Sequence, residues 1–571
     1  MVSCQSIDTA TKYDFTTTFE RSNGTETATY RDVITYYEKI AKTYDQISMF
    51  QLGQTDSGYP LHLVVLNTDG STVLEDLKVT TKNKVLINNG IHPGESDGVD
   101  ASMLLLRDIV QNDTLKKKYK NTLIAVIPMY NIGGALLRNS STRVNQNGPK
   151  EYGFRGNARN FDLNRDFIKQ DTKNAESFAR IFRHFDPDIF IDNHVSNGAD
   201  YQYAITHLFT QHSKLGNELG KFVEREMRPF IETSLERKSI PITPYVNVWG
   251  TTPDNGWSQF MDSPRYSTGY TTLFNTLGIM VETHMLKPYK VRVNQTYELL
   301  LSALDFAEQK GTAIKKLRHH ATAQILENKT YPIQYKIDRK NPTSLNFKGY
   351  EGERIDSKVT RGSRLFYNRQ KPYTKTVNYY NNFIPIKDVE IPKYYIIKQG
   401  WFRVIERLKN NGIIVSKLKK DTIIMAQTQR VNTFQTVKTP FEGHYLHYNT
   451  TIKKTKIPVP FSKGDYLIDT NQNGVRYVLE TLESEAVDSF FNWNFFDSVL
   501  QRKEGFSSYV FEDNAESFLK NHPAINAAFQ EKIKTDDAFS TSLNAQLNWI
   551  YEQTPHYETS HKLIPIFKVF N

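Results

Sequence analysis

Among 571 residues there is one cysteine, Cys4. An internal disulfide is therefore excluded, and cysteine usage gives no reading of redox compartment. No apolar run approaches the ~20 residues that a membrane-spanning helix needs. No internal repeat and no low-complexity run interrupts the chain, which leaves ordinary packed domains. The net charge is +10, but no nucleic-acid module accompanies it, so charge alone does not argue for DNA or RNA binding.

What is present is a chain too long for one core, and two or three domains are expected. A hydrophobic content of 39% and a charged content of 23% are those of a globular protein in water. The charge is unevenly placed. Residues 311–460 hold 29 Lys and Arg against 10 Asp and Glu, and residues 461–571 hold 9 against 16. The basic block has two readings: an anionic contact surface such as membrane, cell wall or polyanion, or a well-solvated Lys-rich face. The opening "MVSCQS" is similar to the end of a bacterial lipoprotein signal, in which the Cys is lipidated. The basic and apolar parts of a signal are missing, so the expectation is an exported, Cys4-anchored protein if the true start lies upstream, and a soluble one otherwise.

Residues 1–28 are polar and rich in Thr and Ser, and read as a leader or linker. Periodicity predicts a helix over 30–44, then strands in "QISMFQLGQT", "LHLVVLNT" and "KVLINNGIH". "DGVDASMLLLRDIVQND" predicts a helix with Asp97 or Asp100 near its start, and "TLIAVIPMYN" a buried strand. "NAESFARIFRHF" reads as helix, "PDIFIDNHV" as strand, "SKLGNELGKFVEREMRPFIETSL" as one long helix, "TLGIMVETHM" as strand, and 293–319 as helix. This alternation predicts an α/β domain over 29–315, a mixed sheet flanked by helices. Beyond about 320, aromatics, lysines and short strands predict a smaller α+β C-terminal region, 316–571.

Three segments carry chemistry. In "NNGIHPGESDG", His92 and Glu95 flank Pro93-Gly94 just after a strand, where both side chains reach one point. His194, closing "DIFIDNH", is a candidate third ligand. Two His and one Glu leave a fourth zinc position open, the pattern of catalytic rather than structural sites. The helical HExxH signature is absent, so a thermolysin-like zincin is not expected. "FRGNARNFDLNRDF" clusters Arg155, Arg159, Asp162, Asn164 and Arg165: either a carboxylate clamp or a polar surface turn. Glu282 lies inside the apolar strand "GIMVETHM", either as a general base or as half of a structural ion pair.

Taken in order, "HPGE", Arg155, "NFDLNRDF", "FIDNH" and "VETH" resemble the M14 zinc carboxypeptidase family across roughly residues 28–310, here a bacterial-type member with an extra C-terminal domain. The resemblance implies one Zn2+ held by His92, Glu95 and His194, with Asp162 orienting His92. It implies that Arg155 stabilises the oxyanion, that Asn164 and Arg165 clamp the substrate's C-terminal carboxylate, and that Glu282 is the general base. The family's mobile-loop Tyr is not at its usual distance before Glu282, where Phe260 and Met261 stand. Tyr266 and Tyr270 are the nearer candidates, each also readable as a packed aromatic. Arg265 would select an acidic side chain if it lines the specificity pocket, and is otherwise a surface residue. The implied activity is removal of the C-terminal residue of a peptide or peptide-like substrate. The alternative is an amidase or deacylase of the same fold, acting on cell-wall peptides or N-acyl amino acids.

Overall fold

The computed structural model describes residues 14–570. Cys4 and the signal-like opening lie outside the described residues. Nine strands belong to the first half: β1 (Ile47–Gln54), β2 (Pro60–Leu66), β3 (Asn83–Asn88), β4 (Thr122–Ile127), β5 (Ile189–Ser196), β6 (Ile205–Phe209), β7 (Ile242–Pro244), β8 (Trp257–Ser258) and β9 (Leu277–His284). Eight form one mixed sheet in the order β1-β2-β4-β3-β5-β9-β6-β7. Its centre, β4-β3-β5-β9, is parallel, and β3, β4 and β5 are buried along their whole length. The continuous apolar runs of these strands are what a sheet covered on both faces requires.

Alternation divides each strand between two cores. Val64, Leu66, Val85 and Ile87 face the helices Tyr30–Thr43, Asp97–Val110 and Tyr289–Glu327. Leu63, Val65 and Leu86 face the helix Lys173–Phe185, and this second core continues without a break into Tyr395, Leu408, Tyr477 and Phe490. The C-terminal region thus covers one face of the eight-stranded sheet. The helix Tyr289–Glu327 runs unbroken across the expected boundary at 315/316.

The C-terminal region adds β10 (Thr330–Ile337), β11 (Thr343–Asp356), β12 (Ser363–Tyr380), β13 (Phe383–Glu390), β14 (Tyr394–Ile397), β15 (Val415–Lys417), β16 (Thr422–Thr436), β17 (His447–Phe461), β18 (Tyr466–Asp469) and β19 (Leu563–Val569). β11 and β12 form a long hairpin that adds to β8. Six strands make a second sheet, β15-β18-β14-β19-β16-β17. Four helices between Ser508 and Gln553 gather around their own apolar cluster, which includes Phe511, Phe529 and Tyr551.

Two expectations need correction. Residues 14–28 are not a free linker: Phe15 and Phe19 are buried in the first core, and Thr17 caps a short helix, Thr18–Arg21. The long helix expected near 213–235 is broken into His212–Leu215, Asn217–Phe222, a π-turn at Val223–Met227 and Arg228–Glu236. Gly216 takes a left-handed φ of 73° at the first break. At the second, Pro229 lacks an N–H, and its ring would crowd the carbonyl one turn back, which a wider π-turn relieves.

Candidate metal centre and cleft

The site forms where β3, β5 and β9 end side by side. Parallel strands bring their C-terminal ends to one edge, where open α/β sheets place ligands. Beyond β3, the Glu95 amide donates to the His92 carbonyl at 2.8 Å and closes a turn. Gly94 is needed in it for space: a Cβ there would lie 2.5 Å from the Arg143 side chain. β5 delivers His194, and the pairing of β5 with β9 sets Glu282 directly beside it.

His92 Nδ1 and His194 Nδ1 each lie 3.2 Å from Glu95 Oε2. One ligand atom from each of the three buried residues falls within 4.8 Å of the others. The outer nitrogens are committed: His92 Nε2 lies 2.9 Å from Asp162 Oδ1, and His194 Nε2 lies 2.8 Å from Asp192 Oδ2. An imidazole that donates Nε2–H to a carboxylate turns its Nδ1 lone pair inward, and zinc-binding histidines are held in that way. His92 Nδ1 is buried with no aligned hydrogen bond of its own. Two nitrogens, one carboxylate oxygen and two supporting carboxylates fit one Zn2+ with an open position.

The electrostatics agree. Burial opposes charge on Glu95, but His92, Arg143 and His194 hold its carboxyl well below the usual carboxylate range. Burial likewise opposes charge on His194, yet Asp192, Glu95 and Glu282 push its imidazole well above its ordinary value. Burial pushes the Glu282 carboxyl up to about 8; Glu95 and Asp192 add to this, while His194 and Arg155 oppose it. A divalent cation held by His92, Glu95 and His194 would favour the ionised Glu282 carboxylate and draw that carboxyl back down.

Asp162 ties the second segment to the first. Its Oδ1 accepts from the Asn164 amide at 2.9 Å as well as meeting His92, and its Oδ2 accepts from Arg155 Nε at 3.0 Å and Nη2 at 2.8 Å. Burial opposes its charge, but His92, Arg155 and Arg165 hold Asp162 far below the usual range. Arg155 is 46% exposed and its Nη1 lies 3.5 Å from Glu95 Oε1. The Arg165 guanidinium stacks 4.5 Å from the centre of the Tyr266 ring. Asn164 Oδ1 accepts from the Ser267 amide at 3.1 Å.

His92, Glu95, His194, Glu282, Arg155, Asn164, Arg165 and Tyr266 all line one cleft of about 500 Å3. Asp162 stands just behind it. Leu208, Met280 and Phe260 supply an apolar part of its wall, and Tyr245, Asn247 and Trp249 another side.

Two expected residues are not brought there. Tyr270 is 0% exposed, packs among Phe167, Phe182 and Tyr477, and donates its hydroxyl to Asn411 Oδ1 at 2.6 Å. It follows Tyr266 by one helical turn on Ser267–Thr272, and its ring is taken by the core. Arg265 is held by Asp488, with Nε to Oδ1 at 2.8 Å and Nη2 to Oδ1 at 2.7 Å. Its charge is spent on a buried carboxylate, so it offers no selectivity for an acidic side chain. His284 has both ring nitrogens occupied by backbone, at Ala199 O and Leu286 N.

Two further residues belong to the site. Asp192 stands two residues before His194 on the same strand face, so the period of 2 already pointed to it. Arg143 donates Nη1 to Glu95 Oε1 at 2.9 Å and Nη2 to the Val195 carbonyl at 3.3 Å. It comes from the irregular segment "STRVNQNG", where no periodicity marks it.

Comparison with known proteins adds independent findings. Residues 33–249 match the model of the zinc carboxypeptidase family, peptidase family M14. The chain is similar to carboxypeptidase 2 of Trichophyton rubrum, 21% identical over 482 residues that cover 80% of this chain and 81% of that protein. It is also similar to carboxypeptidase 2 of Trichophyton equinum, 22% identical over 72% of this chain and 73% of that one. Among solved structures, a metallo-carboxypeptidase of Burkholderia cenocepacia aligns with a TM-score of 0.36 at 17% identity, covering 48% of this chain and 68% of its own.

Proposed function

We propose that this chain, in which residues 33–249 form an M14 zinc carboxypeptidase domain followed by a large additional C-terminal region, removes the C-terminal residue from peptides that carry a free terminal carboxylate. It is a zinc-dependent hydrolase, and the buried set His92, Glu95 and His194 is the observation that carries this. Zinc, when held by those three residues, supplies a Lewis acid that polarises the scissile carbonyl and makes water a nucleophile near neutral pH.

The remaining roles fall to the side chains of the cleft. Asn164 and Arg165 take the terminal carboxylate, Arg165 with a planar fork suited to two oxygens. Tyr266, stacked under Arg165, fixes the plane of that fork. The scissile carbonyl then comes to Arg155, whose guanidinium is oriented by Asp162 and meets the charge that develops on the oxygen. Glu282 takes a proton from the attacking water and delivers it to the leaving amine. With Arg265 engaged elsewhere, the wall of Leu208, Met280 and Phe260 supports an uncharged residue at the cleaved end. Lys453, Lys454 and Lys456 are exposed on β17, which supports contact of the 311–460 block with an anionic surface as a separate property.

The clamp is tested by Arg165→Ala on matched peptides. Hydrolysis of free C-termini should fall by roughly 100-fold, with little change for C-terminal amides. An equal loss on both would remove the clamp from the mechanism.

A further inference from the structure

The substrate clamp is held from behind by residues far outside the matched domain. Asp162 serves three groups of the site at once, His92, Arg155 and the Asn164 amide. Asn164 follows it by two residues and bonds to its carboxylate, so the backbone that carries Asp162 also sets the start of the clamp. Its own N–H donates to Glu442 Oε2 at 2.8 Å, across 280 residues of chain.

Glu442 sits on the turn that links β16 to β17. The Phe441 and His444 backbones bond to each other in both directions at 2.7 and 3.1 Å. Glu442 has a φ of 49° and Gly443 a φ of 78°. A non-glycine residue in the left-handed region costs about 1 kcal/mol and persists where its surroundings demand it. Here the surroundings are the clamp segment: a Cβ at Gly443 would lie 2.9 Å from the Phe161 ring, so the turn is seated directly on it. Next along, His444 Nε2 meets Asp171 Oδ2 at 2.6 Å, and Asp171 also takes Lys169 Nζ at 2.7 Å and Arg407 Nη2 at 3.2 Å. The segment 161–171 is gripped near both ends.

The segment packed against the clamp is gripped in the same way. Asp488, fully buried, accepts from the Arg265 amide at 3.0 Å and from Arg265 Nε at 2.8 Å, while Trp493 stacks 4.9 Å from that guanidinium. The two residues after Arg265 act on the clamp: Tyr266 lies under Arg165, and the Ser267 amide donates to Asn164.

We propose that Glu442 and Asp488 are positioning residues for the Asn164–Arg165 clamp, so that the C-terminal region completes the substrate site. This rests on reading those two residues as the carboxylate clamp. Neither lines the cleft, so each acts through backbone that carries a clamp residue.

The test uses the full-length, zinc-loaded chain with Glu442→Ala, Glu442→Gln and Asp488→Asn, and with Arg165→Ala as reference. The readouts are KM and kcat on a peptide with a free C-terminus, bound zinc and thermal midpoint. Glu442→Ala should raise KM roughly 10-fold, with kcat changed less, zinc at one per chain and the midpoint near that of the parent. Glu442→Gln keeps an oxygen that accepts from the Asp162 amide and should restore KM. Asp488→Asn should raise KM in the same direction. Unchanged KM in Glu442→Ala, or a Gln variant as impaired as the Ala variant, overturns the proposal. So does a rise in KM accounted for by lost zinc or a lowered midpoint. If Arg165→Ala itself leaves KM unchanged, the clamp reading has failed; if only the Glu442 and Asp488 variants leave it unchanged, the positioning role alone has failed.

Discussion

At the scale of residues, the centre is a set of inward lone pairs fixed by outward carboxylates. Asp192 does for His194 what Asp162 does for His92. Asp192 also accepts from the Ser267 hydroxyl, and Asn88 Nδ2 donates to its other oxygen at 3.2 Å. Removing a carboxylate that orients a ligating histidine weakens metal binding by about 10–100-fold. Asp192→Ala is expected to weaken zinc by that factor in a chelator competition, with far-UV dichroism preserved; unchanged affinity would mean that β5 alone orients His194. His92, Glu95 and His194 were candidates from their places beyond apolar strand runs, and the resemblance of "HPGE", "NFDLNRDF", "FIDNH" and "VETH" to one family made them a set. Asp192 was legible in principle from strand periodicity, but its role needed the tautomer argument. Arg143 was not legible, since it reaches Glu95 from an irregular segment 48 residues away in the chain. Tyr270 and Arg265 misled because a place in the segment before Glu282 does not say which way a side chain turns: the core takes the Tyr270 ring, and Asp488 takes the Arg265 guanidinium.

At the scale of elements, the strands were readable and the joints between them less so. Runs such as Val85-Leu86-Ile87 announce doubly covered strands, whereas the break at Pro229 depends on how one turn of helix repacks. The loop from Gln259 to Tyr266 holds a second lesson. Asp262 is buried, no aligned hydrogen bond reaches either of its oxygens, and burial pushes its carboxyl up to about 6 against the partial relief of Thr268 and Lys214. A carboxyl raised in the folded state favours the fold while protonated. Its contribution is complete below about pH 4 and is lost as pH rises through about 6, a change on the order of 3 kcal/mol. Denaturant unfolding at pH 4.5 and 7.5 should therefore show a smaller loss of stability at the higher pH for Asp262→Asn than for the parent. Equal losses in both would show that this carboxyl does not titrate across the range.

At the scale of the whole molecule, the change of texture near residue 320 suggested a separate second domain, and the packing joins it to the first. Tyr395, Leu408 and Tyr477 lie in the same core as Leu86 of the eight-stranded sheet and Phe178 of the helix Lys173–Phe185. Nothing in the pattern of the C-terminal apolar residues names the face they cover, because periodicity reports that a face is buried and not against what. The basic block is likewise divided, part on the exposed edge strand β17, where lysines discourage strand-to-strand association, and part in ion pairs such as Arg407 with Asp171. The central claim is that one zinc in the His92–Glu95–His194 set and the carboxylate of Glu282 together release C-terminal residues. The most direct measurement joins metal content to residue release in the intact chain, for the parent and Glu282→Gln. One zinc per chain in both, with release slowed by about 10²–10⁴-fold in the variant, is the predicted result. A variant that keeps its zinc and releases residues at the parent rate would contradict it.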